Sequence, residues 1–233
     1  MIFEQKTFTF VDGVQPLNKL ETTTIDGKRY YITPTGAKYP SVTTVLGHFS
    51  KSKLKKWRDR VGADEAQKIS NQAATRGTRF HTLMEQYISN DASLQEKVKD
   101  MVPTIKANFL SVLPTLNRID NIRYVESPLY SHKLKVAGRT DVIGNFDGIL
   151  SIIDFKTSTK PKKESWITNY FEQGTCYALM HNELIGIRID QIVIIIAVDD
   201  QPMPQIFIKS KKDYIDGLMT KIWHYHKEHK HVS

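Results

Sequence analysis

The chain has 233 residues, 33 Lys and Arg against 25 Asp and Glu for a formal net charge of +8, 40% hydrophobic residues and one cysteine. This length fits one domain with elaborations around a sizeable core, and the composition excludes wholesale disorder. A lone Cys176 excludes an intramolecular disulfide and a protein-held iron–sulfur cluster, and the longest apolar run, Ile192 to Val198, is far short of the ~20 residues that cross a bilayer.

Residues 1–40 read as short strands and turns. Asp26-Gly27, between LETTTI and KRYYIT, marks a hairpin, because a type I′ turn needs positive φ at both central positions. Pro34, Gly36 and Pro40 punctuate a loop, and Ser41 can cap a helix that carries Val42, Val45 and Leu46 on one face. Residues 41–118 read as helical. The segment Lys51 to Arg60 carries six basic residues (Lys51, Lys53, Lys55, Lys56, Arg58 and Arg60) around Leu54 and Trp57, a pattern that suits a solvated face or a nucleic-acid contact. Separate helices are expected over 63–74 and 76–88, the second with Phe80, Leu83, Met84, Tyr87 and Ile88 at helical spacing. Another is expected between Leu94 and Val112, with Pro103 at a boundary or kink.

From residue 122 the pattern turns to strands: RYVESPLY, KLKVAGRTDVIGNF and ILSIIDFKT, the last two joined by a turn at Asn145 to Gly148. A helix over 165–182, the strands QIVIIIAV and PQIFIKS, and a terminal helix over 211–229 follow. The histidine-rich KIWHYHKEHKH at its end reads as a partly charged solvated tail, with a metal site as the alternative. The order β-β-β-α-β-β behind a helical segment predicts a mixed sheet flanked by helices, an α/β protein.

Two of these strands carry a carboxylate where a buried strand calls for Val or Ile. Asp141 interrupts VAGRTDVIG and Asp154 interrupts SIIDFKT. Lys156 lies two residues after Asp154, so both side chains take one face while Ile153 and Phe155 take the other. A solvated hairpin aspartate and an ordinary ion pair would explain these residues singly. Together they make a site for a divalent cation, Mg²⁺ or Mn²⁺, and a phosphodiester, with Asp141, Asp154 and the backbone carbonyl of Phe155 as oxygen ligands. Lys156 would hold the attacking water or act as a fixed positive charge. Gln173 and Tyr177, spaced i and i+4, share one face of the following helix. Lys160, Lys162 and Lys163 beside Trp166 offer a basic strand grip with a stacking platform, and Arg76 and Arg79 offer bidentate phosphate donors.

GRTDVIG, IIDFKT and QGTCY, with YPSVTTVL and RGTRFH upstream, resemble the PD-(D/E)XK nuclease superfamily. The likeness is to its RecB-like branch, which includes phage exonucleases and mitochondrial genome maintenance exonucleases. The likeness runs over roughly residues 28–185 and departs from the superfamily's nominal Pro-Asp, since Gly-Arg-Thr precedes Asp141. It implies a restriction-endonuclease-like core with a helical arch and a small N-terminal β cap. It assigns His81 and Glu126 to the metal, with Glu85 one turn beyond His81, and Gln173 and Tyr177 to the scissile strand. Imidazole ligation suits Mn²⁺ better than Mg²⁺.

The expected organisation is a β cap over 1–40, a helical segment over 41–118 and a nuclease core over 119–233. The expected activity is metal-dependent exonuclease action on single-stranded DNA ends. A flap or branched-DNA endonuclease and a non-catalytic DNA-binding subunit are the alternatives, with replication or recombination proteins as further partners. The opening MIFEQKTFTF shows no leader, so a cytoplasmic setting without membrane contact, in a bacterial or phage-infected cell, is expected.

Overall fold

The computed structural model describes residues 3–229; Met1, Ile2 and residues 230–233, with the last histidine of the terminal segment, lie outside the described residues. Five strands form the central sheet in the order β4-β5-β6-β7-β8: Ile119–Ser131, Val136–Phe146, Ile149–Ser158, Gln191–Val198 and Gln205–Ser210. All neighbours are antiparallel except β6 and β7, which run parallel because the helix α6 (Thr168–Ile185) carries the chain back between them. This is the mixed α/β architecture that the sequence predicts.

Helices cover both faces of this sheet. On one face lie α3 (Ala63–Ile88), α4 (Leu94–Lys99) and α5 (Pro103–Leu116), whose Phe80, Leu83, Tyr87 and Phe109 pack with Ile153, Phe155 and Ile195. On the other lie α1 (Val42–His48), α6 and α7 (Ile215–Glu228), where Val45, Phe171 and Met180 meet Ile152, Ile192 and Ile194. Strand alternation therefore puts Asp154 and Lys156 on the α6 face, with Ile152, and Ile153 and Phe155 on the α3 face.

A separate antiparallel sheet is built from β1 (Glu21–Ile25), β2 (Lys28–Ile32) and β3 (Lys38–Pro40). Its first turn has φ of 50° at Asp26 and 70° at Gly27, as the Asp-Gly pair predicts. Residues 3–11 are not part of it. Phe3 and Phe8 pack edge-on against Phe109 and Tyr87, and Phe10 bridges Ile122, so this stretch joins the α3 face of the main body. Ser41 caps α1 as expected, its Oγ accepting the Thr44 N–H at 3.0 Å.

Several boundaries differ from the sequence reading: the segment from Leu94 to Val112 holds two helices, α4 and α5, where one is expected, and the expected loop at 34–40 ends in β3. The two helices expected over 63–74 and 76–88 are one helix, α3, that continues through Gly77. An interior glycine costs about 1 kcal/mol relative to alanine, and the ties that Arg76 makes to the body of the protein offset it. The helix expected from 165 begins as a 3₁₀ turn at Glu164–Trp166 before α6, which Gly186 ends in the left-handed conformation. A second 3₁₀ turn, Lys211–Asp213, precedes α7. Pro103 sits in the first turn of α5, where its missing N–H is harmless.

The helix α2 (Lys51–Val61) has no buried residue, and α3 is exposed from Gln67 to Thr75, so this helical pair stands out into solvent. Among the described residues no helix is long and apolar enough to cross a membrane.

Helix α6 lies so close to β5 that a Cβ on Gly138 would stand 2.7 Å from Cε1 of Tyr177. Gly138→Ala is expected to lower stability by about 1–3 kcal/mol in urea denaturation. Combined with Tyr177→Leu it should cost less than the sum of the two single changes, because the clash is then gone.

Candidate active site

The antiparallel ladder between β5 and β6 runs from Phe146–Ile149 to Val142–Ile153 and stops there. The next residue on each strand is an aspartate, Asp141 on β5 and Asp154 on β6. Beyond them β5 stays paired with β4, and β6 with β7, so the sheet splits. The split strips Phe155 of a strand partner for its N–H, and Asp141 Oδ2 accepts that N–H at 2.7 Å. In a strand the N–H and C=O of one residue face the same neighbour, so the Phe155 carbonyl looks into the same gap. Its ring lies in the core on the α3 face.

Asp154 is buried on the α6 side, where two side chains hold it. Gln173 Nε2 donates to Oδ1 at 3.1 Å and also lies 3.1 Å from the Tyr177 hydroxyl, while Lys156 Nζ pairs with Oδ2. The Lys156 ammonium also lies 5.2 Å from the Tyr170 ring centre. Burial works against the charge on Lys156, but the carboxylates of Asp154 and Asp141 outweigh it and raise its pKa. Lys156 is therefore an ammonium at neutral pH: a donor and a fixed charge, with no lone pair to take a proton. Burial raises the pKa of Asp154, and the neighbouring Asp141 adds to that against the pull of Lys156. Asp141 ends up lowered: its burial is outweighed by His81, Lys156 and the Phe155 N–H.

His81 arrives from α3, its Nδ1 3.3 Å from Asp141 Oδ2. Burial lowers its pKa, and the charge and hydrogen bond of Asp141 overcome this to give a net rise. Glu126 arrives from β4, between Val125 and Ser127, which pair with Val142 and Thr140. Its φ is +47°, a left-handed conformation inside a strand, at a cost on the order of 1–3 kcal/mol. That kink aims the carboxylate into the cavity, 2.7 Å from Arg139 Nε. Burial, then repulsion from Asp141, pushes the Glu126 pKa up to about 7.

One donor atom each from His81, Glu126 and Asp141 lies within 4.8 Å of the others. An imidazole nitrogen and two carboxylate oxygens around one point, one of them from a glutamate whose pKa burial raises, fit a divalent cation of the Mn²⁺ or Mg²⁺ kind. Asp154 and the Phe155 carbonyl flank this group.

The cavity thus brings together His81, Glu126, Asp141, Asp154, Lys156, Gln173 and Tyr177, with Glu85 at its edge. It also takes in Arg29, Thr78 and Arg139, which sequence reasoning missed. Thr78 stands one helical turn before His81, and Arg139 two strand positions before Asp141, so spacing signalled both. Nothing local signalled Arg29, which comes from β2.

The proposed strand-binding residues lie apart from the cavity. The Arg76 guanidinium, expected to grip phosphate, instead pairs with Asp199 at 3.1 Å and reaches Thr157 Oγ1 at 3.4 Å, while Asn108 donates to the same Asp199 at 2.8 Å. Arg79 is exposed and lines a neighbouring depression with Thr82 and Ile105. Lys160, Lys162 and Lys163 follow the end of β6. Lys162 gives its N–H to Gln205, and Lys163 Nζ lies 5.4 Å from the ring of Trp166, itself 63% exposed. Cys176 is buried, which pushes its thiol pKa up and leaves it inert.

A mixed sheet that splits over two aspartates and a charged lysine, with an imidazole brought in by a covering helix, defines an α/β protein with a cation-ready acidic centre. No family model matches the sequence. The chain is distantly homologous to curated proteins named mitochondrial genome maintenance exonuclease 1. It is 27% identical to that of Homo sapiens over 175 residues, 69% of this chain and 49% of the relative. It is 27% identical to that of Mus musculus over 132 residues, 53% of this chain and 38% of the relative. The similarity therefore spans about half or less of the length of these relatives.

Because the folded pKa of Glu126 is raised from 4.5 to about 7, its ionisation opposes folding. The contribution is fully present below about pH 4.5 and lost as pH rises through 7, on the order of 3 kcal/mol at most. The melting temperature of the metal-free protein should therefore fall between pH 5 and pH 7.5 (on the order of the window between those pKa values). Glu126→Gln should flatten that fall, and Mn²⁺ should offset it; equal slopes in both proteins would contradict the assignment.

Proposed function

We propose that this chain is a metal-dependent deoxyribonuclease of the PD-(D/E)XK, RecB-like type that hydrolyses phosphodiester bonds from single-stranded DNA ends. The observation that carries this reading is the pair Asp141 and Asp154 at the split between β5 and β6, with a permanently charged Lys156 beside them. The distant likeness to proteins named exonucleases supports the same direction. In this reading residues 1–40 act as a cap, 41–118 as an arch and 119–233 as the nuclease core, with residues 3–11 packed on the core. The setting is the cytoplasm of a bacterial or phage-infected cell.

His81, Glu126, Asp141, Asp154 and the Phe155 carbonyl would hold Mg²⁺ or Mn²⁺. The ion, when bound, lowers the pKa of a water and neutralises charge on the phosphate. Lys156, unable to act as a base, donates to the attacking water or to a phosphate oxygen and stabilises the charge that builds there. Gln173 holds Asp154 in its rotamer through one amide and ties it to Tyr177 behind, which sets the position of the scissile strand indirectly. Lys160, Lys163 and Trp166 take the strand after it leaves the cavity, and Arg79 takes a phosphate on the helical side. Arg76 is an anchor of α3 to the sheet.

Linear single-stranded DNA labelled at either end, incubated with Mg²⁺ or Mn²⁺, should yield short labelled products. Lys156→Ala should slow this by about 10²–10³-fold and Asp154→Ala should abolish it, both with DNA binding retained. Cleavage of circular single-stranded DNA would replace exonuclease by endonuclease action, and no cleavage with either metal would end the enzymatic reading.

In binding assays, Lys160→Ala with Lys163→Ala should reduce the slope of log affinity against log salt by about 1.4, at about 0.7 per phosphate contact. Arg76→Ala should leave that slope unchanged and lower the melting temperature instead.

A further inference from the structure

The histidines of the terminal segment take no part in the chemistry above, yet His229, just after α7, meets His48 from the N-terminal part of the chain. His48 is the last residue of α1, and its Nε2 lies 2.8 Å from Glu228 Oε2 at the end of α7. His229 follows at once, and one donor atom from each of the three residues lies within 4.8 Å of the others. His229 Nδ1 lies 2.8 Å from the carbonyl oxygen of Tyr225. A carbonyl only accepts, so Nδ1 is the donor, and in the neutral tautomer this leaves Nε2 as the nitrogen with a lone pair. That tautomer, with the second nitrogen bound to a backbone carbonyl, is how metal-ligating imidazoles are usually oriented.

Both rings are fixed by one aromatic side chain. The His229 ring stacks on Tyr225 at 4.2 Å, and the His48 ring meets Tyr225 edge-on at 5.6 Å. Among the described residues His48 Nδ1 is buried without a hydrogen-bond partner, and its Nε2 contacts Glu228. As a plain ion pair with a half-exposed glutamate, the His48 contact would be worth about 0–1 kcal/mol. It would also leave the arrangement of His229 unexplained.

We propose that His48, Glu228 and His229 bind Zn²⁺, with water as fourth ligand, and that the ion clamps α7 to α1. Two imidazoles and one carboxylate are a zinc-type donor set and a poor one for Mg²⁺. Around a tetrahedral ion with bonds of about 2.1 Å the donors stand roughly 3.4 Å apart, so the 2.8 Å pair needs only a small turn of the exposed Glu228 side chain. Phe49 and Ser50 alone separate His48 from α2, so the clamp fixes the root of the projecting helical pair.

The test uses the full chain without an affinity tag and with Asp141→Asn and His81→Ala, which silence the catalytic centre. Titration calorimetry should show one equivalent of Zn²⁺, with a rise in melting temperature. His229→Ala and His48→Gln should each weaken binding by about 100-fold or more and remove the rise. The otherwise unaltered chain supplies a second reading: it should lose one equivalent of Zn²⁺ on His229→Ala. Absence of binding in the silenced chain, or a stoichiometry unchanged by His229→Ala and His48→Gln, would overturn the proposal.

Discussion

The candidate site depends on one event in the sheet: β5 and β6 stop pairing after Val142 and Ile153. A ladder that continued would hydrogen-bond the Phe155 N–H to the neighbouring backbone and leave Asp141 no place except solvent or core. The split frees that N–H, and a carboxylate oxygen takes it at 2.7 Å. Asp141 thus acts as the missing strand partner and also lines the cavity. Burying two acids side by side is costly, and the cost appears as the raised pKa of Asp154. Lys156 offsets part of it, and a divalent cation would offset more.

Helix α3 supplies what the sheet lacks. No strand delivers an imidazole to the gap, so His81 must come from a covering element whose position is set independently. Phe80, Leu83, Met84 and Tyr87 fix its body end in the core, and Arg76 ties it to Asp199 and Thr157 at the far ends of β7 and β6. The guanidinium that looks suited to phosphate is consumed in this tie. Its charge satisfies Asp199, which also accepts from Asn108 on α5, so two helices and the end of β7 meet at one carboxylate.

Much of this was legible in the sequence, for local reasons. The alternation in SIIDFKT put Asp154 and Lys156 on one face without reference to any other segment, and Asp26-Gly27 specified its turn through its own backbone preferences. Asp141 stood out as a charge in an apolar run. What stayed hidden depends on partners far along the chain. Nothing near Arg76 announces Asp199, and the break expected at Thr75 ignored how much that tie adds to helix continuity. The left-handed backbone at Glu126 has no signature of the kind glycine would give, because the strand around it imposes the strain. Nothing near His48 announces Glu228 and His229, which the fold brings to it from the far end of the sequence.

The unbroken course of α3 has a mechanical consequence. From Arg76 to Ile88 the helix is held by ion pair and core, and from Ala63 to Thr75 only Ala66 is buried. At about 1.5 Å per residue the free arm is roughly 20 Å long. It behaves as a cantilever: bending amplitude concentrates toward its tip and vanishes at the clamp. Bending confined to the outer turns of the helix would leave the imidazole of His81, inside the clamped length, in register with Asp141.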